Sequence, residues 1–368
     1  MESYMSFPSL TIGSLHVSTP IVQGGMGVGI SLSGLASAVA DAGGIGIIAA
    51  AGIGMFQPDF TSNYVEANNR ALQGEIRAVR RKTDGVLGVN IMVALTNFAE
   101  LVATAVKEGV DAIFSGAGLP LDLPSYLPES CKIKLVPIVS SARAAAVLCK
   151  KWLLRFGRTP DAFVVEGPMA GGHLGFKPEH LDNPAYALEQ LLPEVIAGVE
   201  YFARSTGKPI PVIAAGGIFT GFDIHKYLTM GAAGVQLGTR FVCTHECDAD
   251  IRFKQAYLNA KSEDLVVIKS PVGLPGRAIS NAFLEAVGEG NKVPGVCHFH
   301  CLHSCDPVTA PYCITMALVN SKRGNLKRGF VFAGQNAYRV EQIVSVCELM
   351  AELEREYNSA LVKEAIGN

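Results

Sequence analysis

Charge is scarce in this chain, and long apolar runs are missing. Only 17% of its 368 residues are Asp, Glu, Lys or Arg, and the formal net charge is −2 at pH 7. Such a balance offers no basic footprint for nucleic acid or for an anionic membrane surface, so neither is expected as a partner. The apolar runs are strand-sized and broken by glycine, well short of the roughly 20 residues a membrane helix needs. The opening MESYMSFPSL lacks the charged-then-apolar pattern of a secretory signal. Nine cysteines is an odd number in a chain of this size, which reads as a cytoplasmic protein with reduced thiols rather than a disulfide scaffold.

Glycine and apolar residues are plentiful instead. The 39 glycines imply many tight turns or close backbone approaches, and 49% hydrophobic residues permit a large core. Short apolar runs recur: PIVQG (20–24), IGIIAA (45–50), VLGVNIM (86–92), AIFSGAG (112–118), KLVPIVS (134–140), AFVVEG (162–167), PVIAAGG (211–217) and GVQLGTRF (234–241). They are continuous rather than alternating, as expected of strands buried on both faces of a parallel sheet. Helical patterns lie between them. SLSGLASAVADAGG is read with Ser31 as N-cap, and NFAELVATAVKEGV stops at Gly109. Eight such βα units predict a closed TIM (β/α)8 barrel, because a six-stranded open sheet would leave two runs unplaced. Residues 243–330 break the rhythm and are read as an inserted, mainly helical, cysteine-containing subdomain after strand eight. The barrel then comprises 1–242 and 331–368, and AYRVEQIVSVCELMAELEREY returns as its last helix.

In such a barrel the chemistry sits at the carboxyl ends of the strands. The residues there include Gly24, Gly25 and Met26 of QGGMG, then Asn90, Ser115, Ser140 and Ser141. EGPMAGGHLGF contributes Glu166, Gly171, Gly172 and His173; the last two runs contribute Gly216, Gly217, Gln236, Gly238 and Thr239. The paired glycine loops after runs seven and eight suit a phosphate, whose oxygens take backbone N–H groups and the Thr239 hydroxyl. The Gly24–Gly25 pair lets backbone approach a flat ligand, with Met26 as a soft surface. His173 is the candidate acid, base or hydrogen-bond donor, since histidine exchanges its proton near neutrality.

PIVQGGMG, GVNIM, EGPMAGGHLG, AAGGI and GVQLGTRF, in this order and spacing, resemble the nitronate monooxygenase family (formerly 2-nitropropane dioxygenases). The flavin-dependent enoyl-ACP reductases belong to the same superfamily. The resemblance covers roughly residues 15–245. It implies non-covalent FMN, with the phosphate against Gly217 and Gln236 to Thr239, and the ring and ribityl chain against Gly25, Met26, Asn90, Glu166 and Gly171. The family often has Gln where this chain has Glu166. One large branch carries its catalytic histidine after strand five, where this chain has Ser140 and Ser141, so the weight falls on His173. The expected activity is FMN-dependent oxidation of alkyl nitronates with O2. The alternatives are an NAD(P)H-dependent enoyl thioester reductase, with acyl carrier protein as partner, and a non-catalytic flavin- or phosphate-binding barrel. A small-molecule substrate is expected, and a homodimer is left open.

CHFHCLHSCDPVTAPYC places Cys297, Cys301, Cys305 and Cys313 close in sequence, with His298, His300 and His303 between them. Such density suits Zn2+ or an iron–sulfur cluster, although C-x3-C-x3-C-x7-C matches neither common spacing. On a helix the first three would share one face. Free thiols are the alternative. The basic stretch Lys322, Arg323, Lys327 and Arg328 is either a solvated face or a site for a phosphate-bearing substrate. If the insertion folds over the barrel mouth, Gln335 and Asn336 approach the substrate.

Overall fold

The computed structural model describes residues 7–290, 297 and 299–367. His298 and the opening MESYMS lie outside them. Each apolar run supplies one barrel strand. After a small antiparallel hairpin, β1 (Leu10–Ile12) and β2 (Leu15–Val17), come β3 (Ile21–Gln23), β4 (Gly46–Ala49), β5 (Leu87–Met92), β6 (Ala112–Gly116), β7 (Lys134–Val139) and β8 (Phe163–Glu166). A two-residue strand, β9 (Gly172–His173), precedes β10 (Val212–Ala215) and β11 (Gly234–Leu237). The parallel sheet runs β3-β11-β10-β8-β7-β6-β5-β4. Its two ends nearly close on each other. Gln23 N–H donates to Ile45 O at 3.0 Å, Ile45 N–H donates to Ile21 O at 2.9 Å, and the Gln23 side chain accepts from Ile47 N–H at 2.9 Å.

The strands bury both faces, which is why their sequences do not alternate. Val22, Ile47, Phe114, Val136, Val164 and Ile213 form an inner core, joined by Leu10, Ile12 and Val17 of the hairpin, which plugs the amino-terminal end. The outer faces pack under α1 (Ser33–Asp41), α2 (Tyr64–Arg80), α3 (Phe98–Lys107), α4 (Ala142–Phe156), α5 (Leu188–Thr206) and α6 (Gly221–Thr229). Fully burying one such aliphatic side chain is worth about 1.5–3 kcal/mol. The single Trp, Trp152 on α4, is wholly buried and donates its indole N–H to Pro120 O at 3.1 Å.

Helix starts follow local chemistry, with one correction. Ser141 caps α4 by accepting from Ala144 N–H, and Thr220 with Asp223 forms a capping box on α6. Ser31 does not cap α1. Its hydroxyl closes the preceding loop, accepting from Met26 N–H at 3.0 Å, while Leu32 and Ser33 N–H donate to Asp248 and Glu75 carboxylates. Distant acids take the donors that a local cap would have used.

The eighth strand is shorter than the run that predicts it. It ends at Leu237, and Thr239–Val242 turns as a helix, α7. Beyond it the chain forms α8 (Ile251–Asn259), β12 (Leu265–Lys269), β13 (Pro275–Ile279), α9 (Ala282–Gly288) and α10 (Ile314–Lys322). The helical reading of residues 253–287 thus misses a β-hairpin. LVVI is rich in β-branched residues, and the turn SPVGL has Gly273 at φ +87°, which favours glycine. β13 also pairs with β9 and with β14 (Val331–Phe332), so this small sheet joins the inserted segment to the GGH loop. The last helix, α11 (Val346–Gly367), packs on α6 and α1. It starts later than its sequence pattern predicts, because residues 340–345 are held extended by bonds such as Val344 N–H to Cys243 O and His245 N–H to Val344 O.

Candidate active site

One cavity of about 290 Å3 opens at the carboxyl ends of the barrel strands. It gathers all the residues singled out for a cofactor and for chemistry: Gly25, Met26, Asn90, Glu166, Gly171, Gly172, His173, Gly216, Gly217, Gln236, Gly238 and Thr239. Val28 and Ala117 also line it, with φ of 54° and 52°. A β-branched residue in the left-handed region is an outlier, and such strain concentrates where the surroundings over-determine the backbone.

The glycines have distinct reasons. A Cβ at Gly25 would overlap the Asn90 side chain, so close packing demands glycine there. Gly216 and Gly217 sit at φ +94° and +89°, and a Cβ on Gly217 would come within 2.9 Å of Met169. At Gly238 a Cβ would meet only Met26 Sδ, at 3.9 Å; it would project into open cavity space. The backbone N–H groups of Gly217 and Gly238 find no acceptor among the described residues. Unpaired donors beside open space, after strands β10 and β11, are what a phosphate requires. The residues present therefore fit a flavin phosphate.

His173 is placed by β9. Its Nε2 lies 2.8 Å from Ser270 Oγ, and its ring meets Phe332 edge-on at 5.0 Å. Ser270 Oγ accepts from Val272 N–H at 3.2 Å, which leaves the serine hydrogen free for His173 Nε2. Burial pushes the imidazole down to about 4, so the ring is neutral at pH 7. The cationic form considered for His173 is thereby disfavoured, and the neutral ring remains as donor or acceptor. Glu166, at the end of β8, has the opposite shift: burial raises its carboxyl to about 7. Its carboxyl has no hydrogen-bond partner among the described residues.

Several positions at or beside the cavity escaped the sequence reading. Arg277 on β13 is only 3% exposed and donates to Pro168 O and, at 2.8 Å, to Ala170 O. It clamps the loop that carries Gly171 to His173. Tyr257 and Phe332 line the cavity roof, with Tyr257 Oη donating to Phe332 O at 2.7 Å. No local motif marks these residues, because three separate later elements, α8, β13 and β14, bring them in from far along the chain. Asn336 does reach the cavity, donating to Gly217 O at 2.6 Å, whereas Gln335 contributes its backbone N–H to Met169 O and does not line the cavity. Ser115 and Ser141 are used structurally: Ser115 Oγ donates to Ile91 O, and Ser141 caps α4. The basic stretch lies elsewhere. Lys322 and Arg323 stack on Phe56, and none of the four cations lines the cavity.

Cys297, Cys301, Cys305 and Cys313 are not on one helical face, because the chain is irregular from Cys301 to Cys313, where α10 begins. Leu302 instead bridges to Leu95, and Cys301 O accepts from Thr96 N–H. Among the described residues no three His, Cys, Asp or Glu side chains converge as a single metal ion requires. No helix among the described residues is long and apolar enough to cross a membrane.

Comparison with known proteins agrees with this geometry. The family model for nitronate monooxygenase matches residues 9–356. A (3aS,4S,5R,7aS)-5-hydroxy-7a-methyl-1-oxo-octahydro-1H-indene-4-carboxyl-CoA dehydrogenase from Mycobacterium tuberculosis is 30% identical, over 76% of this chain and 68% of its own. A probable nitronate monooxygenase from Staphylococcus aureus is 28% identical, over 75% and 79%. Among solved structures, FabK from Thermotoga maritima superposes with a TM-score of 0.72 at 29% identity, covering 96% of both chains. The nitroalkane oxidase of Streptomyces ansochromogenes shares the fold at 22% identity, with a TM-score of 0.73 over 94% and 98%. The phosphate-ready loops after β10 and β11, the GGH strand under the hairpin and the match across nearly the whole length have one reading: the chain belongs to the nitronate monooxygenase family of flavin oxidoreductases.

Proposed function

We propose that this protein binds FMN and oxidises alkyl nitronates with O2. The observation that carries the reading is the single roofed cavity in which the phosphate-ready loops, the Gly24–Gly25 approach and His173 meet. Gly217, Gly238 and Thr239 would hold the phosphate; Gly25, Met26 and Asn90 would flank the ring. Bound FMN supplies the electron transfer between substrate and O2. The chain's own residues bind, orient and manage protons. Neutral His173 offers a ring nitrogen to the nitronate oxygens without an ion pair, with Ser270 fixing the imidazole. Glu166, its carboxyl raised to about 7 and so only about half ionised at neutrality, repels an anionic substrate less than an ordinary carboxylate would, and it can take or return a proton where the reaction needs one. Phe332 and Tyr257 lay aromatic surface over one side of the cavity.

A second reading is favoured by the CoA-thioester dehydrogenase and FabK among the relatives. It is an NAD(P)H-dependent reductase of enoyl thioesters, with acyl carrier protein as partner and His173 polarising the carbonyl. Two assays on FMN-loaded protein separate them: O2 consumption with propane-2-nitronate, and anaerobic NAD(P)H oxidation with a crotonyl thioester. Turnover in the first and none in the second supports the nitronate reading, and the reverse overturns it. Protein that stays colourless and takes up no FMN removes both and leaves a non-catalytic phosphate-binding barrel.

A further inference from the structure

We propose that Cys297, Cys301, Cys305 and Cys313 hold an iron–sulfur cluster beside the flavin cavity. All four line one small, partly open cavity of about 30 Å3, two to three times the roughly 10–15 Å3 that one water needs. The other five cysteines lie outside its lining. A lone zinc requires its sulfurs about 2.3 Å from one point, and no such convergence exists among the described residues. Thiols that surround a space instead of a point suit a polynuclear cluster, whose four cysteines are divided among more than one iron.

Two further features of this cavity are unexplained by packing alone. Tyr312 lines it, is only 3% exposed, and its hydroxyl has no hydrogen-bond partner among the described residues. A buried hydroxyl left without a partner costs about 1–3 kcal/mol, and a sulfide or cysteinyl sulfur would accept it. His300, also in the lining, has φ +42°. Among the described residues only three non-glycine residues have positive φ, and the other two, Val28 and Ala117, line the flavin cavity. The strain at His300 directs its backbone N–H to Cys297 Sγ at 3.3 Å. N–H donors to cysteinyl sulfur are one of the means by which proteins tune such clusters. Cys301 Sγ is likewise paired with Thr315 Oγ1 at 3.2 Å.

The position also has a consequence. Cys313 is the N-cap of α10, and Leu318 on the same helix lines the flavin cavity. Five residues of helix span about 7.5 Å, so one short rigid element would touch both groups.

The test is anaerobic purification of the full chain followed by iron, acid-labile sulfide, zinc and flavin analysis. The expected result is iron and sulfide in equal amounts, with a broad absorption near 400 nm that bleaches on reduction. In Cys305→Ser and Cys313→Ser, iron and sulfide should fall several-fold while flavin per chain stays unchanged; Cys131→Ser, outside the cavity, should retain all of them. Full flavin with no iron or sulfide overturns the proposal, as do one zinc per chain or a disulfide among the four cysteines. Should the serine variants not fold, the iron and sulfide content of the parent chain still decides. These readouts do not depend on nitronate turnover, so the proposal and the assigned reaction can fail separately.

Discussion

At the scale of single residues, His173 and Glu166 are a pair of ionisable groups whose shifts run in opposite directions for one reason, burial in the same cavity. Each shift has a stability consequence. Folded His173 resists protonation down to about 4, whereas the unfolded chain accepts that proton near 6.5. Stability is therefore full above about 6.5 and falls as pH drops toward 4. His173→Asn should flatten that acid limb in a melting-temperature profile and lower kcat with nitronate by roughly 100-fold or more, with flavin content retained. Glu166 holds its proton up to about 7 when folded, against 4.5 when unfolded, so its contribution is greatest below 4.5 and is lost as pH rises through 7. Glu166→Gln should raise the melting temperature above pH 7 and leave it unchanged below 4.5. An identical shift at both pH values would assign the effect to packing instead of ionisation.

Among the elements, the β12–β13 hairpin is what holds the GGH strand, and with it His173, in place at the barrel mouth. β13 pairs with β9 through Gly276 and Arg277, opposite His173 and Gly172, and its Arg277 side chain clamps the loop before them. Arg277→Met keeps the apolar stem but leaves the Pro168 and Ala170 carbonyls without their donor. The expected cost is about 1–3 kcal/mol for each group left unpaired. Because the loop carries His173, substrate turnover should drop more than thermal stability does; a melt shift with unaltered kcat would mean that the clamp is structural only. The glycine loops give a second expectation. Gly217→Ala adds a Cβ at φ +89° and 2.9 Å from Met169, which should cost about 1–3 kcal/mol. Flavin affinity, followed by fluorescence on titration with FMN, should weaken with it. Gly172→Ala strains a similar φ but meets nothing within 4 Å, so its effect should be smaller.

For the whole molecule, closure of the barrel rests on the seam between β3 and β4. Gln23 is fully buried there, accepting from Ile47 N–H and donating to Gly24 O. Gln23→Leu leaves the Ile47 donor unpaired in the interior and should lower unfolding stability by about 1–3 kcal/mol, read from the fluorescence of buried Trp152 during denaturation. The eight strands were legible in the sequence because both faces of each are buried, so the apolar runs are continuous and end in glycine. The site residues at their carboxyl ends were legible for the same reason: once a strand's place is known, so is its last residue. Ser31 misled because a hydroxyl before a helix looks alike whether it caps the helix or closes a loop; Asp248, far away in sequence, decided. LVVIK and PGRAI were read as helical because short apolar segments carry little periodicity, and only pairing with β9 and β14 makes them strands. Sequence alone determined the barrel and its ring of glycines, since strand burial and backbone conformation are local properties of residue type. Tertiary structure decided the roof, the neutral state of His173, the raised pKa of Glu166 and the shared cavity of the four cysteines, because each depends on what distant segments place around a side chain.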